Sequence, residues 1–153
     1  MANDKYTRVN DDVFLQQHSL LLCQSYRHWT GQDLLLAEPG QLVSTLMQAP
    51  FAVVSHDTQD DPIFNYANLR AQQLFGMDWQ QITALPSRLS AEAMLREERA
   101  MLLERVQTNG YIDDYCGVRI ASDGSCFTIR NATVWNLIDS QGRYCGQAAK
   151  FDV

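Results

Sequence analysis

Lysine is nearly absent from this chain. Only Lys5 and Lys150 stand among its 12 basic residues, against 18 acidic ones, for a net charge of -6. Affinity for nucleic acid rests on clustered Lys and Arg against phosphates, so this balance argues against a nucleic-acid partner. No apolar run approaches the roughly 18 to 20 residues that span a bilayer. The opening M-A-N-D-K-Y-T-R-V-N-D-D also lacks the apolar core of a signal peptide. The expectation is a cytoplasmic protein with no membrane partner. The four cysteines, Cys23, Cys116, Cys126 and Cys145, stand singly. Without C-x-x-C spacing they suggest neither a zinc site nor a redox pair; they read as reduced, mostly buried thiols. The chain also lacks G-x-S-x-G, H-E-x-x-H, a P-loop and a Rossmann fingerprint. Its adjacent carboxylates, Asp60-Asp61 and Asp113-Asp114, make no acid/base couple, since neighbours in a strand face opposite ways and turns collect Asp. No enzyme and no metal are expected, and no cofactor is indicated.

What is present suits one globular domain. The chain has 153 residues, 46% hydrophobic and 20% charged, enough for one core and short for two. Residues 11–29 read as an amphipathic helix with Phe14, Leu15, His18, Leu21, Leu22, Tyr26 and Trp29 on one face. Asn10 or Asp11 is its candidate cap and Gly31 its stop. Leu42 to Met47 suggests a short helix ending before Pro50. The apolar run Phe51 to Ser55 reads as a buried strand, and P-I-F-N-Y as a second one. Asn68 opens a helix that Gly76 closes, and Asp78 with Gln81 forms a capping box for another. Residues 91–108 predict a helix capped by Ser90 and stopped at Asn109-Gly110, with Leu95, Leu102, Leu103 and Val106 as its apolar stripe.

Three strands close the chain. Taking Asp123-Gly124 as a two-residue turn sets Ala121 opposite Cys126, Ile120 opposite Phe127 and Val118 opposite Ile129. In that register Ile112, Cys116, Val118, Ile120, Phe127, Ile129, Asn131, Thr133, Trp135 and Leu137 share the core face. Asp113, Tyr115, Arg119, Thr128 and Arg130 take the other. In the last strand Cys145, Gln147, Ala149 and Phe151 point inward. The predicted fold is α+β: a curved five-stranded antiparallel sheet with helices on one face and an additional N-terminal amphipathic helix.

The words A-P-F-A-V-V-S-H, D-P-I-F-N-Y-A-N, L-P-S-R-L-S-A-E, R-E-E-R, G-Y-I-D-D-Y-C-G-V-R-I, A-T-V-W-N-L-I-D and G-Q-A-A-K-F occur in this order from about Trp29 onward. In these words the chain resembles the MEKHLA domain, a PAS-like module found alone in bacteria and at the C-terminus of plant class III homeodomain-leucine zipper regulators. The division this suggests is an N-terminal helical extension over 1–30 and the MEKHLA domain over 31–153. The resemblance implies a PAS-like fold and a sensory or small-molecule-binding role, with no catalysis. No homeodomain or zipper accompanies it here, so DNA binding does not carry over.

A PAS-like pocket lies between the inner sheet face and the helices crossing it, where a few polar groups orient a ligand. Asn131 and Gln147 are the two amides the register sends inward, paired either by a ligand or by internal hydrogen bonds. Arg88, in the L-P-S-R-L loop, can fork onto an anion or clamp its own loop. His56 can ligate or sense pH, or simply end its strand. Asn65 and Tyr66 are candidates for one end of the pocket, although N-Y-A-N equally reads as strand exit plus helix cap. Trp135 is a stacking platform or a core residue. Cys116 invites comparison with photoactive flavin-binding PAS proteins, but their G-R-N-C-R-F-L-Q-like motif is missing, which excludes that photochemistry. The expected partners are a small-molecule ligand and a second copy docked through Phe14, Leu22 and Trp29 of the N-terminal helix; the alternative is a dimerisation module whose pocket is packed core and takes no ligand.

Overall fold

The structure is a computed structural model that describes residues 2–91 and 96–152. Five helices, α1 (Ala2–Thr30), α2 (Leu42–Met47), α3 (Leu69–Phe75), α4 (Trp79–Ile82) and α5 (Arg96–Asn109), accompany five strands. The strands are β1 (Ala52–His56), β2 (Phe64–Ala67), β3 (Tyr111–Ile120), β4 (Cys126–Ile138) and β5 (Tyr144–Phe151). They form one antiparallel sheet in the order β2-β1-β5-β4-β3, as the strand pattern predicts. The exposed edge of β2 is covered by the Leu85–Ser87 segment, where Phe64 N–H donates to Leu85 at 3.1 Å and Ser87 N–H to Pro62 at 2.8 Å. Covering an edge in this way removes a template for unwanted strand pairing.

Local capping chemistry sets the short helices. Asn68 is fully buried and saturated. Its Oδ1 accepts from Ala71 and Val53 N–H, and its Nδ2 donates to the carbonyls of Leu46 and Phe51. One side chain therefore caps α3 and ties it to β1 and to the end of α2. Asp78 and Gln81 close their capping box at 2.8 and 2.9 Å. The N-terminal helix is longer than predicted: it runs through Asn10 and Asp11, so neither is its cap. The first turn of the predicted 91–108 helix, residues 92–95, lies outside the described residues. Ser90 itself sits in a 3₁₀ turn over Ser87–Ser90 with its hydroxyl donating to the Ser87 carbonyl, while the helix start it was expected to cap lies among those undescribed residues. Leu102 and Val106 pack on the core, whereas Leu103 is exposed.

The sheet is buried on both faces. Helices α3, α4 and α5 cover a concave core that includes Ala52, Val54, Phe64, Phe75, Ile82, Val106, Ile112, Ile129, Val134 and Phe151. The additional helix α1 lies across the convex face over Val53, Tyr66, Trp135, Leu137 and Ala148. Its predicted stripe is the one used: Leu22 and Tyr26 are buried, and Leu15 and Trp29 pack beside them. Trp29 lies against Gly110, which has φ +79, and a methyl group there would overlap the indole. Its Nε1 donates to the Asn136 carbonyl at 2.9 Å, pinning the end of α1 to the sheet.

The hairpin register differs from the prediction by one residue. Ile120 pairs with Cys126 and Val118 with Thr128. Ala121 N–H donates to the Ser125 carbonyl and Gly124 takes φ +84, so the loop holds three residues, Ser122 to Gly124, ending in a left-handed glycine. Two bulges then change side-chain parity. Arg130 and Asn131 together oppose Cys116, with Asn131 at φ 53, a left-handed conformation that Asn tolerates better than most residues. Asp113 and Asp114 together oppose Thr133. Both members of each pair are exposed. Beyond the bulges Tyr115, Ala132 and Val134 belong to the concave core, while Trp135 and Leu137 turn to α1.

Candidate functional site

The parity change redistributes the predicted site residues. Asn131 and Cys116, both expected on the inner face, are exposed on the surface. Cys126 is exposed as well, and Cys23 and Cys145 are half-buried, so the thiols are less buried than composition suggested. Cys145 packs on the α1 side, because Gly146 at φ +140 carries an irregularity in the β4–β5 pairing. Arg88 clamps its loop: its Nε lies 3.0 Å from Asp61 in an exposed ion pair. Trp135 is a core residue of the convex layer whose Nε1 donates to the Leu22 carbonyl at 3.2 Å. Asn65 and Tyr66 also belong there, beneath α1.

His56 and Gln147 do come together. They are directly paired across β1 and β5, and Gln147 faces Asn136 across β5 and β4. Gln147 Nε2 donates to Asn136 Oδ1 at 3.3 Å, and His56 Nδ1 is 2.8 Å from the Asp57 carbonyl. The three half-buried side chains make a polar row across one end of the concave face. Asn136 was missed because the parity in force before the bulge assigns it to the other side. At the other end of β4 the face is aromatic. Phe75 meets Phe127 and Phe151 edge-on at 5.1 and 6.3 Å, and Phe64 lies 6.2 Å from Phe75. Such contacts add to area burial and fix ring orientation.

Beside this cluster stands Arg119, directly opposite Phe127. Sequence reading had sent it outward with Tyr115. Its Nη1 donates to Ser90 Oγ at 3.2 Å and its Nη2 to Tyr115 Oη at 3.3 Å, and Ala91 pairs with it as an isolated bridge. The signal was present in the sequence: Asp113-Asp114 and Arg130-Asn131 are consecutive polar pairs within otherwise alternating strands, a pattern that an unbulged pleat cannot bury on either side.

A second polar group is buried under α1. His18 Nε2 is 2.7 Å from Ser55 Oγ, which donates to Asn65 Oδ1 at 2.5 Å. The single serine proton is thus committed to Asn65, and His18 must donate through Nε2–H, which fixes its neutral tautomer. Desolvation lowers its pKa to about 4. Burial pushes the neighbouring Cys23 thiol up to about 11 and raises the Tyr66 phenol as well. The Ser55 hydroxyl is buried with its proton engaged, so the His-Ser-Asn chain offers no nucleophile to a substrate and acts as a structural tie. No cluster of His, Cys, Asp or Glu among the described residues is arranged to hold a metal ion, and no described helix is long and apolar enough to cross a membrane.

Comparisons with known proteins bear on most of the chain. The MEKHLA domain family matches residues 16–153. Comparison with curated proteins finds no match. Among solved structures, a PAS domain of a protein from Colwellia psychrerythraea superposes with TM-score 0.61 at 16% identity, over 73% of this chain and 92% of its own. A light-oxygen-voltage domain studied with a flavin analogue gives TM-score 0.58 at 18% identity, over 73% and 83%. An RNA-binding light-oxygen-voltage receptor gives 0.63 at 21% identity, over 79% of this chain and 35% of the receptor. At these identities the likeness is one of fold: the sheet and its helices have the PAS arrangement.

Proposed function

Because this chain belongs to the MEKHLA domain family, we propose that it is a non-catalytic sensory module of the PAS kind, which binds a small molecule at the concave face and reports through α1. The observation that carries this reading is how the two cores share strands. Val54, Val134 and Ala149 face the concave side, while their immediate neighbours Val53, Trp135 and Ala148 face α1. A ligand that shifts β1, β4 or β5 from one side moves the groups that seat the helix on the other. Densely packed interiors transmit such shifts with little loss. The row His56, Gln147 and Asn136 supplies the polar contacts on this reading, and its half-burial leaves donors and acceptors within reach of a ligand.

Readout passes to a second copy through the outward face of α1. Its inward stripe, which holds Leu22 and Trp29 of the contact expected from sequence, packs on the chain's own sheet, and this favours the outward face for the second copy. Val13 and Leu20, two helical turns apart and about half exposed, remain. We take the compartment to be the cytosol, a reading supported by four cysteines with no disulfide among them. The test is native mass spectrometry of freshly purified protein, with thermal shift across a metabolite panel. A retained non-covalent mass or a saturable rise in Tm supports the reading. An empty protein with no shift overturns the ligand, and V13E/L20E keeping the wild-type mass in light scattering overturns the contact.

A further inference from the structure

Five arginines among the described residues, Arg27, Arg70, Arg88, Arg105 and Arg143, form ion pairs, each with an aspartate and each on the surface. Arg119 is different. It is half-buried at the rim of the concave face, and no carboxylate among the described residues lies within ion-pair distance of it. Neutral hydroxyls hold it instead, and both are themselves fixed. Ser90 is fully buried with its own proton on the Ser87 carbonyl, so its oxygen is committed as an acceptor. Tyr115 is buried and folds back along β3 over Gly117, where any side chain would collide with the phenol oxygen. The guanidinium carbon lies 5.7 Å from the Tyr115 ring centre.

A guanidinium has five N–H donors, and two bonds here leave Nε–H and part of each terminal amine uncommitted. A partly desolvated charge with no counter-charge is costly, and an arriving anion removes that cost. Preorganisation by Ser90 and Tyr115 lowers the entropy lost when the fork engages. From this arrangement we infer that Arg119 is the anion-binding residue of the concave face, so that the small molecule sensed there carries a carboxylate or phosphate at Arg119 and an apolar body against the half-buried Phe127 opposite it. The identity of the ligand rests on the sensory reading above. Capture of an anion by Arg119 does not.

The experiment is a titration of the intact chain with inorganic phosphate, and separately with propionate, at ionic strength held constant with sodium chloride. The readout is the backbone amide resonances of residues 91, 119 and 127 in ¹H–¹⁵N spectra, which every variant retains, with the Arg119 Nε–H followed besides in wild type. A saturable shift is expected with at least one probe, weakened at least about tenfold in R119Q. R119K controls for folding and keeps a point charge without the fork, so a response retained for phosphate but lost for propionate marks bidentate recognition of carboxylate. Which probe binds wild type more tightly separates phosphate-bearing from carboxylate-bearing ligands. No saturable shift beyond the chloride control overturns the inference. So does a shift that appears only in E92Q, because Glu92, which follows Ala91 in sequence, would then be the built-in counter-ion. A metabolite screen without hits, while phosphate still moves Arg119, removes the sensory reading and leaves the anion site. A ligand that binds R119Q as tightly as wild type does the reverse.

Discussion

The two faces of the sheet are built on different principles. On the concave side the interior is made by shape: four phenylalanines and aliphatic side chains interlock, with polar groups kept to its ends. On the convex side α1 is held by addressed hydrogen bonds. Trp135 donates to Leu22, Trp29 to Asn136, and the Ser25 hydroxyl exchanges bonds with the backbone of Ile138, besides the chain from His18 to Asn65. The hydroxyls of Ser19 and Tyr66 are buried there without a protein partner. An apolar interface tolerates sliding, whereas each buried hydrogen bond fixes a position and penalises departure from it. The difference teaches that α1 is held in one register, so a signal that loosens it must break particular bonds.

The sharpest way to break the comparison is to hollow out each face in turn. W135A and F75A each remove a fully buried ring, which costs about 3 to 5 kcal/mol; urea unfolding measures both. W135A falls at the upper end because it also strips the Leu22 carbonyl of its donor. Hydrogen exchange separates the two faces. W135A is expected to speed exchange over residues 12–30 with α3 to α5 protected, and F75A to do the opposite. Equal effects on α1 from both variants would show that the faces are not distinct.

How far this division could be read from sequence depends on the range of the force involved. Asn68, Gly76 and the Asp78–Gln81 box act within a few residues, and each works as its residue type predicts. The apolar stripe of α1 was legible for the same reason. Which sheet face it covers was not, because both faces of β1, β4 and β5 are apolar. The bulges and the hairpin loop decided the site: the left-handed Asn131 reverses the parity of β4 after it, so Trp135 was assigned to the pocket, while the three-residue turn and the Asp113-Asp114 bulge turn inward an Arg119 that sequence had facing solvent. Bulges arise from pairing between strands, and neither strand alone reveals one except through its doubled polar residues.

A gentler probe of the convex side is acid. His18 has its folded pKa lowered by burial to about 4 against an ordinary 6.5, so the unfolded chain binds the extra proton first. Stability is therefore intact above pH 6.5, declines as pH falls toward 4, and loses nothing further to this group below that. At about 1.4 kcal/mol per unit the loss is on the order of 3 kcal/mol. Phe14 stacks on this ring at 4.8 Å and Tyr66 tilts over it at 5.7 Å, and His18→Phe keeps an aromatic ring in that place. H18F is expected to flatten the Tm profile between pH 6.5 and 4.5. A variant that tracks wild type over that interval would assign the acid sensitivity elsewhere.

The smallest effect is expected at Arg88, the arginine that sequence alone singled out. Its pair with Asp61 is more than half exposed on both sides, where solvent screening and side-chain entropy leave such bridges about 0 to 1 kcal/mol. R88A should move the unfolding midpoint little and leave the phosphate titration of Arg119 unchanged. The contrast between the two guanidiniums follows from their surroundings. One has a carboxylate and water, so an incoming anion must displace a partner already satisfied. The other has two hydroxyls and no carboxylate among the described residues, so the same anion completes it. A phosphate response that vanished in R88A while persisting in R119Q would reverse that assignment and move the anion site from the concave rim to the loop.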